Sequence, residues 1–188
     1  METTLLIFGG LLLLVALERI VELGISKRNA AAIFERGGTE HGQGHFPVMV
    51  FLHTAIFPAA FLEAWLLDRP WRTELAVAMG ALIVLTMILR YWAIRSLGVH
   101  WNTRVIVLPD AEIVAGGPYQ WIRHPNYLAV IVELAAMPLF HGAWLTALPF
   151  GLANLVLLRH RIRVEEAALD AHCRDIHQLS TKNRFLPN

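Results

Sequence analysis

Four stretches of this chain are apolar for so long that lipid, not water, has to be their solvent: residues 3–24, about 46–67, about 75–94 and 127–158. A hydrocarbon core of ~30 Å takes about 20 helical residues to cross. Inside it no backbone amide or carbonyl can be left unpaired, so helices or closed barrels are the spanning structures available. Taken as one helix, the last stretch would be about 48 Å long at 1.5 Å per residue, more than a single crossing needs. His141-Gly142 interrupts it near the middle, so it reads as a hairpin of two helices, 127–140 and 143–158, with Pro149 expected to kink the second. Each limb is short for a full span and has to pack against other helices rather than lipid. The expected fold class is all-α: a polytopic membrane protein of about five transmembrane helices ending in a helical hairpin. It is read as one domain over 1–188, with three spans in 1–95 and the hairpin in 96–188.

Composition narrows the partners. Charged residues make up only 16%, below the roughly 25% of a soluble domain. A net charge of +1 with no Lys/Arg-rich block points to no nucleic acid. Cys173, the one cysteine, excludes an intrachain disulfide and a multi-cysteine zinc site. His41 and His45 lie in a glycine-containing loop and no HExxH is present, so no metal is expected. The first apolar run lacks a basic leader and carries Glu18, Arg19 and Glu22 in place of a cleavage site, so it reads as a retained helix. Oligomeric state is not legible.

The polar segments sort by charge. With five spans, residues 25–45, 95–126 and the C-terminal tail share one side and hold twelve basic residues, against Arg69 and Arg72 on the other. The positive-inside rule puts the N-terminus outside and all three segments in the cytoplasm.

Several constellations allow two readings. Glu18, Arg19 and Glu22 form either a buried polar cluster, by default functional, or a solvated group at headgroup level. His53, Glu63, Arg90 and Glu133 are further polar groups within spans, and His53 alone reads as a hydrogen-bonded core histidine. Arg161 and Glu165 lie four apart. They are either an ordinary juxtamembrane helix pair, or a cation for an anionic group beside a carboxylate able to accept two hydrogen bonds from a vicinal diol.

The segment GPYQWIRHPNYLAV, 117–130, is harder to treat as a border. Pro125 suits a helix's first turn, so Arg123 and His124 stand at a helix N-terminus whose free amides favour a carboxylate or phosphate. Gly116 and Gly117 let backbone approach a ligand. Tyr119, Trp121 and Tyr127 are interfacial aromatics or walls for a planar ring. Together these suggest a cytosolic pocket for a polar ligand that opens sideways to a lipid-like one. No GxGxxG follows a strand, so a soluble dinucleotide site is not indicated.

Gly117-Pro118-Tyr119, Arg123-His124-Pro125-Asn126-Tyr127, the hairpin, Arg161-x-x-x-Glu165-Glu166-x-x-Leu169 and Arg184-Phe185-Leu186-Pro187 resemble the isoprenylcysteine carboxyl methyltransferase family over Leu97–Pro187. The resemblance implies a membrane enzyme that binds S-adenosylmethionine in a cytosolic pocket and methylates a lipophilic acceptor entering from the membrane lipid. It makes 96–188 the cofactor-binding and catalytic half. Ala111, Glu112, Ile113, Val114, Tyr119, His124, Pro125, Asn126, Tyr127 and Glu165 are the cofactor-binding residues it implies, and Arg161 the catalytic one facing the acceptor. The tail His172-Cys173-Arg174-Asp175-Ile176-His177 departs from the family's glycine and tyrosine pattern. The N-terminal half, with Glu18-Arg19, Ser26-Lys27-Arg28-Asn29, Glu40-x-Gly42 and His45-Phe46-Pro47, is similar to a bacterial branch. Some of its members methylate hydroxyls of long-chain alkylpyrones or alkylresorcinols, which implies the bacterial inner membrane. Transfer to a carboxylate or an enol or phenol oxygen is the expected reaction. Phospholipid N-methylation, a nicotinamide-dependent sterol-reductase-like activity and a non-enzymatic scaffold or transporter subunit are the alternatives.

Overall fold

The computed structural model describes residues 2–173 and 182–185, and their arrangement is mostly helical. The elements run α1 (Glu2–Glu35), β1 (Thr39–His41), α2 (Phe46–Leu66), α3 (Thr73–Leu97), β2 (Val105–Val107), α4 (Pro125–Leu139) and α5 (Trp144–His172). Helices α1, α2 and α3 are each long and apolar enough to cross a membrane. Their outward faces carry large apolar side chains such as Leu6, Leu13, Val77 and Leu85, as lipid contact requires.

In α1 the buried residues recur every three or four positions from Leu5 to Ile33, a single stripe against the bundle with lipid-facing residues on either side. The stripe continues through Ser26, Asn29, Ala30 and Ile33, so the first part of the polar segment 25–45, whose composition suits a loop or an interfacial segment, is helix up to Glu35. Gly37 then stops it. At φ 85 it places its own amide on Phe34 O and the amide of Gly38 on Ile33 O, which satisfies two terminal carbonyls.

The short limb of the hairpin follows from packing. Helix α4 has 15 residues, about 22 Å, less than a full crossing. It is wedged chiefly between α3 and α5, with most of its surface buried. Gly142 at φ 72 makes the turn into α5. The amides of Leu145 and Thr146 at the start of α5 donate to the Glu63 carboxylate at 3.1 and 2.6 Å, and Arg69 pairs with the same group at 2.7 Å. Helix α5 is unbroken through Pro149 and runs on to His172.

A small antiparallel ladder, β1 with β2, lies outside the all-α expectation, with Glu40 opposite Ile106. Three residues per strand are too few to show a period in sequence. Strand alternation nevertheless organises the polar end of the molecule. Val105 and Val107 pack on Ala168 of α5, while Ile106 and Leu108 pack on Ala30 and Ile33 of α1. The C-terminal ends of α1 and α5 are thereby fixed around the loop between α3 and α4.

Candidate functional site

The loop from Gly98 to His124 lies at the polar end of the helices and borders two chambers. The first, about 140 Å³, lies between this loop and the C-terminal half of α5. The second, about 330 Å³ and mostly apolar, lies inside the helix bundle. They share one wall, made of Trp101, Asn102, Asn126 and Tyr127.

Most residues expected to bind a cofactor line the first chamber: Ala111, Glu112, Ile113, Val114, Tyr119, His124, Asn126, Tyr127 and Glu165. Pro125 does not. It is fully buried beneath the chamber as the first residue of α4. Arg161 is absent from the first chamber and lines the second, so the two residues of the α5 pair face different spaces. One hydrogen-bonded chain joins them across the wall. Arg161 Nε donates to Tyr127 Oη at 2.7 Å, and the Tyr127 hydroxyl donates in turn to Glu165 Oε2. Arg161 is 4% exposed, and Nη1 reaches Met49 Sδ at 3.3 Å.

The aromatic residues separate into their two readings. Tyr119 and Tyr127 are buried walls, whereas Trp121 is half exposed and stacks edge-on against Trp92. Burial, reinforced by the neighbouring Glu165 carboxylate and Tyr127, pushes the Tyr119 phenol well up, so it stays a neutral donor at physiological pH.

Two expectations need correction. The amides of Arg123 and His124 are not free at the helix start. They donate to Asn183 O and Arg184 O at 2.9 and 3.0 Å. The amides left without an intrahelical acceptor by α-helix geometry are those of Asn126 and Tyr127, one step inward. Gly117 serves packing rather than a ligand: at φ +60, a Cβ there would lie 2.0 Å from Ser96 Oγ, while Gly116 has open space around it.

Sequence reasoning passed over the clasp that holds this end together. Glu166 Oε1 accepts from Arg123 at 2.9 Å and lies 3.1 Å from His124 Nε2, and Glu166 Oε2 accepts from Arg184 at 2.6 Å. Burial acts to raise the Glu166 carboxyl, but hydrogen bonds from His124, Arg184 and Arg123 outweigh it and hold the group well below the usual carboxylate range. Lys182 Nζ adds a bond to Tyr119 O at 2.8 Å. Glu166 was visible as part of a motif, but partners 18 and 43 positions away carry no local signal. The expectations on Arg174–His177 and on Leu186-Pro187 lie outside the described residues. Trp101 and Asn102 were likewise missed, being single polar-loop residues without a pattern. Among the described residues no His/Cys/Asp/Glu group suits a metal.

The Glu18, Arg19 and Glu22 cluster is buried, not solvated. Arg19 pairs with Glu22 at 2.6 Å and with Glu133 at 3.1 Å, and Arg90 pairs with Glu133 at 2.8 Å. His53 contacts Asn154 Oδ1 at 3.2 Å, as a core histidine would, yet it also borders the second chamber.

The chain is similar to known proteins in sequence and in fold. The chain is 36% identical to the uncharacterized protein YpbQ of Bacillus subtilis, over 88% of this chain and 98% of that protein. An uncharacterized protein of Haemophilus influenzae is 28% identical over 80% of this chain and 88% of its own length. The fold matches the solved eukaryotic intramembrane Ras methyltransferase ICMT with a TM-score of 0.54 at 22% identity, covering 67% of this chain and 46% of that one. Residues 77–171, which hold α4, most of α3 and α5 and the wall between the chambers, match the isoprenylcysteine carboxyl methyltransferase (ICMT) family, and the chain belongs to that family of membrane methyltransferases.

Proposed function

We propose that the chain moves a methyl group from S-adenosylmethionine in the first chamber to an oxygen of a lipophilic acceptor in the second. The observation that carries this reading is the shared wall, with a carboxylate on one side, a guanidinium on the other and Tyr127 bonded to both.

The first chamber suits such a cofactor by its donor set. Trp101 Nε1 and Asn126 Oδ1, a donor and an acceptor, are buried in the wall without partners among the described residues. Glu165 has Oε2 engaged by Tyr127 and retains Oε1 for a ribose hydroxyl. The Asn126 and Tyr127 amides, at the positive end of α4, suit a carboxylate. Tyr119 offers a buried ring face. When bound, the cofactor supplies an electrophilic methyl group on a sulfonium.

The rest falls to this chain. Arg161 holds the acceptor oxygen at the wall, and Tyr127 fixes the orientation of Arg161. The apolar lining of the second chamber takes the acceptor's hydrocarbon and excludes water. Positioning of this kind is worth up to about 7–11 kcal/mol of barrier when the reacting atoms are in line. The cation must hold the oxygen without suppressing its nucleophilicity, which a guanidinium already shared with a tyrosine hydroxyl does. On this reading the first chamber faces the cytoplasm from a bacterial inner membrane, an orientation that the excess of basic residues at this end supports.

Calorimetric titration of the purified protein with S-adenosylmethionine tests the assignment. Glu165→Ala should lose at least about tenfold in affinity, the worth of one charged hydrogen bond. Arg161→Ala should bind normally yet lose methyl transfer. Wild-type protein that binds no S-adenosylmethionine would overturn the reading.

A further inference from the structure

The second chamber carries buried charges that the scheme above leaves without a task. Glu22 of α1, Arg90 of α3 and Glu133 of α4 border it, each 3% exposed, and Arg19 and Glu18 join them from α1. Three carboxylates face two guanidiniums, so the cluster holds one formal negative charge in excess. An unbalanced charge buried inside a bundle is costly and is rarely kept without a use.

One carboxylate oxygen of the residues bordering the chamber is left unpaired. Glu22 Oε1 has no hydrogen-bond partner among the described residues. Arg90 Nε lies 3.7 Å from it and is also unpartnered, while the other oxygen of Glu22 pairs with Arg19 at 2.6 Å. Glu18 Oε1 shares this state, but Glu18 does not border the chamber. The facing groups are committed elsewhere: His53 of α2 to Asn154, Glu133 to Arg90, and Arg161 of α5 to Tyr127. One turn beyond Glu22, Ser26 Oγ bonds Asn102 Oδ1 at 2.8 Å, and Asn102 is part of the shared wall. Glu22 therefore stands about 6 Å along the helix from the level of that wall.

A hydroxyl that gains a methyl group has to give up its proton to a base within reach in this mostly apolar chamber. We propose that Glu22 is the proton acceptor for a hydroxyl-bearing acceptor in this chamber, which rests on the oxygen-methylation reading above. In the step, the acceptor oxygen bonds to the methyl carbon as the carbon–sulfur bond breaks and sulfur keeps the electron pair. The O–H proton passes to Glu22 Oε1, leaving an ether and a neutral carboxylic acid. The cluster loses its excess negative charge in the same event that removes the positive charge of the sulfonium. No new net charge is left in the bundle. Arg19 and Arg90 lie beside these carboxylates, and the unpartnered oxygen of Glu22 gives the hydroxyl its acceptor.

The test compares two acceptors in wild type, Glu22→Gln and Glu22→Asp: meta-pentadecylphenol, and its para-nitro derivative, already ionised at the assay pH. Glu22→Gln should lose about 100-fold or more in turnover on the phenol, the usual worth of a general base, and less than about threefold on the nitrophenol. Glu22→Asp should restore part of the phenol activity. A second measurement needs no turnover: Trp fluorescence of cofactor-free protein should show wild type binding the phenol more tightly than its methyl ether, and Glu22→Gln losing most of that difference. Equal losses on both acceptors would overturn the proposal and leave oxygen methylation standing. Wild-type turnover confined to amine lipids would overturn both.

Discussion

Tyr127 is the residue through which the two chambers communicate. It comes from the second turn-forming position after Pro125, so the helix start that fixes Pro125 also aims the phenol at α5. Replacing it with Phe leaves the wall but unties Arg161 from Glu165. Turnover should fall about tenfold, with cofactor affinity changed little, the signature of a lost orientation rather than a lost contact. Steady-state kinetics against calorimetry separates these. Gly117 offers a contrasting case, because its importance is steric. Gly117→Ala combines a positive φ with a contact at 2.0 Å to Ser96 Oγ. It should lower the midpoint of thermal unfolding in detergent by several degrees, as a loss of about 1–3 kcal/mol would. The sequence made Gly117 look like a ligand-approach glycine because spacing alone does not reveal that α3 passes behind it.

At the scale of elements, two non-local carboxylates fix the hairpin. Glu63 caps α5 from α2, and Glu63→Ala should destabilise the fold by about 1–3 kcal/mol by leaving two amides and Arg69 unpaired. Thermal unfolding in detergent would measure it. Glu166 clasps the start of α4 to the 182–185 segment, and the sign of its pH dependence follows from its lowered carboxyl. Its stabilisation is complete above the ordinary carboxyl value, near 4.5, and is lost as pH falls below it toward the folded-state value. Glu166→Gln should therefore be less stable than wild type at neutral pH, and the gap should shrink in acid. A constant gap across the pH series would contradict that origin. The helices themselves were legible, since runs of apolar residues and the His141-Gly142 break determine where bundle and turn lie. What escaped was everything set by partners far away in the chain. The extension of α1 rests on a buried stripe facing β2, and the ladder on two three-residue segments far apart in the chain, with Glu40 opposite Ile106. The closed amides of Arg123 and His124 depend on Asn183 and Arg184.

For the whole molecule, family membership and the apolar outer surface make this an integral membrane protein, with both chambers at the basic end of the bundle. The charge asymmetry predicts its orientation. In a Cys173→Ala background, Arg163→Cys should react with an impermeant maleimide in inverted vesicles and Arg72→Cys in right-side-out ones; the reverse pattern would place the site outside. The candidate site residues were legible because α4's start and the Arg161/Glu165 turn are local motifs, whereas their separation into two chambers required the helix face to be seen. The central claim is that a methyl group crosses the Tyr127 wall onto an oxygen, and labelling tests it most directly. Cells expressing the wild type or Arg161→Ala, fed methionine with a deuterated methyl group, would have their lipids extracted and fragmented by mass spectrometry. The account predicts a lipophilic product carrying one labelled methyl on oxygen with the wild type, lost in Arg161→Ala. Label on nitrogen, or no labelled lipid at all, would contradict it.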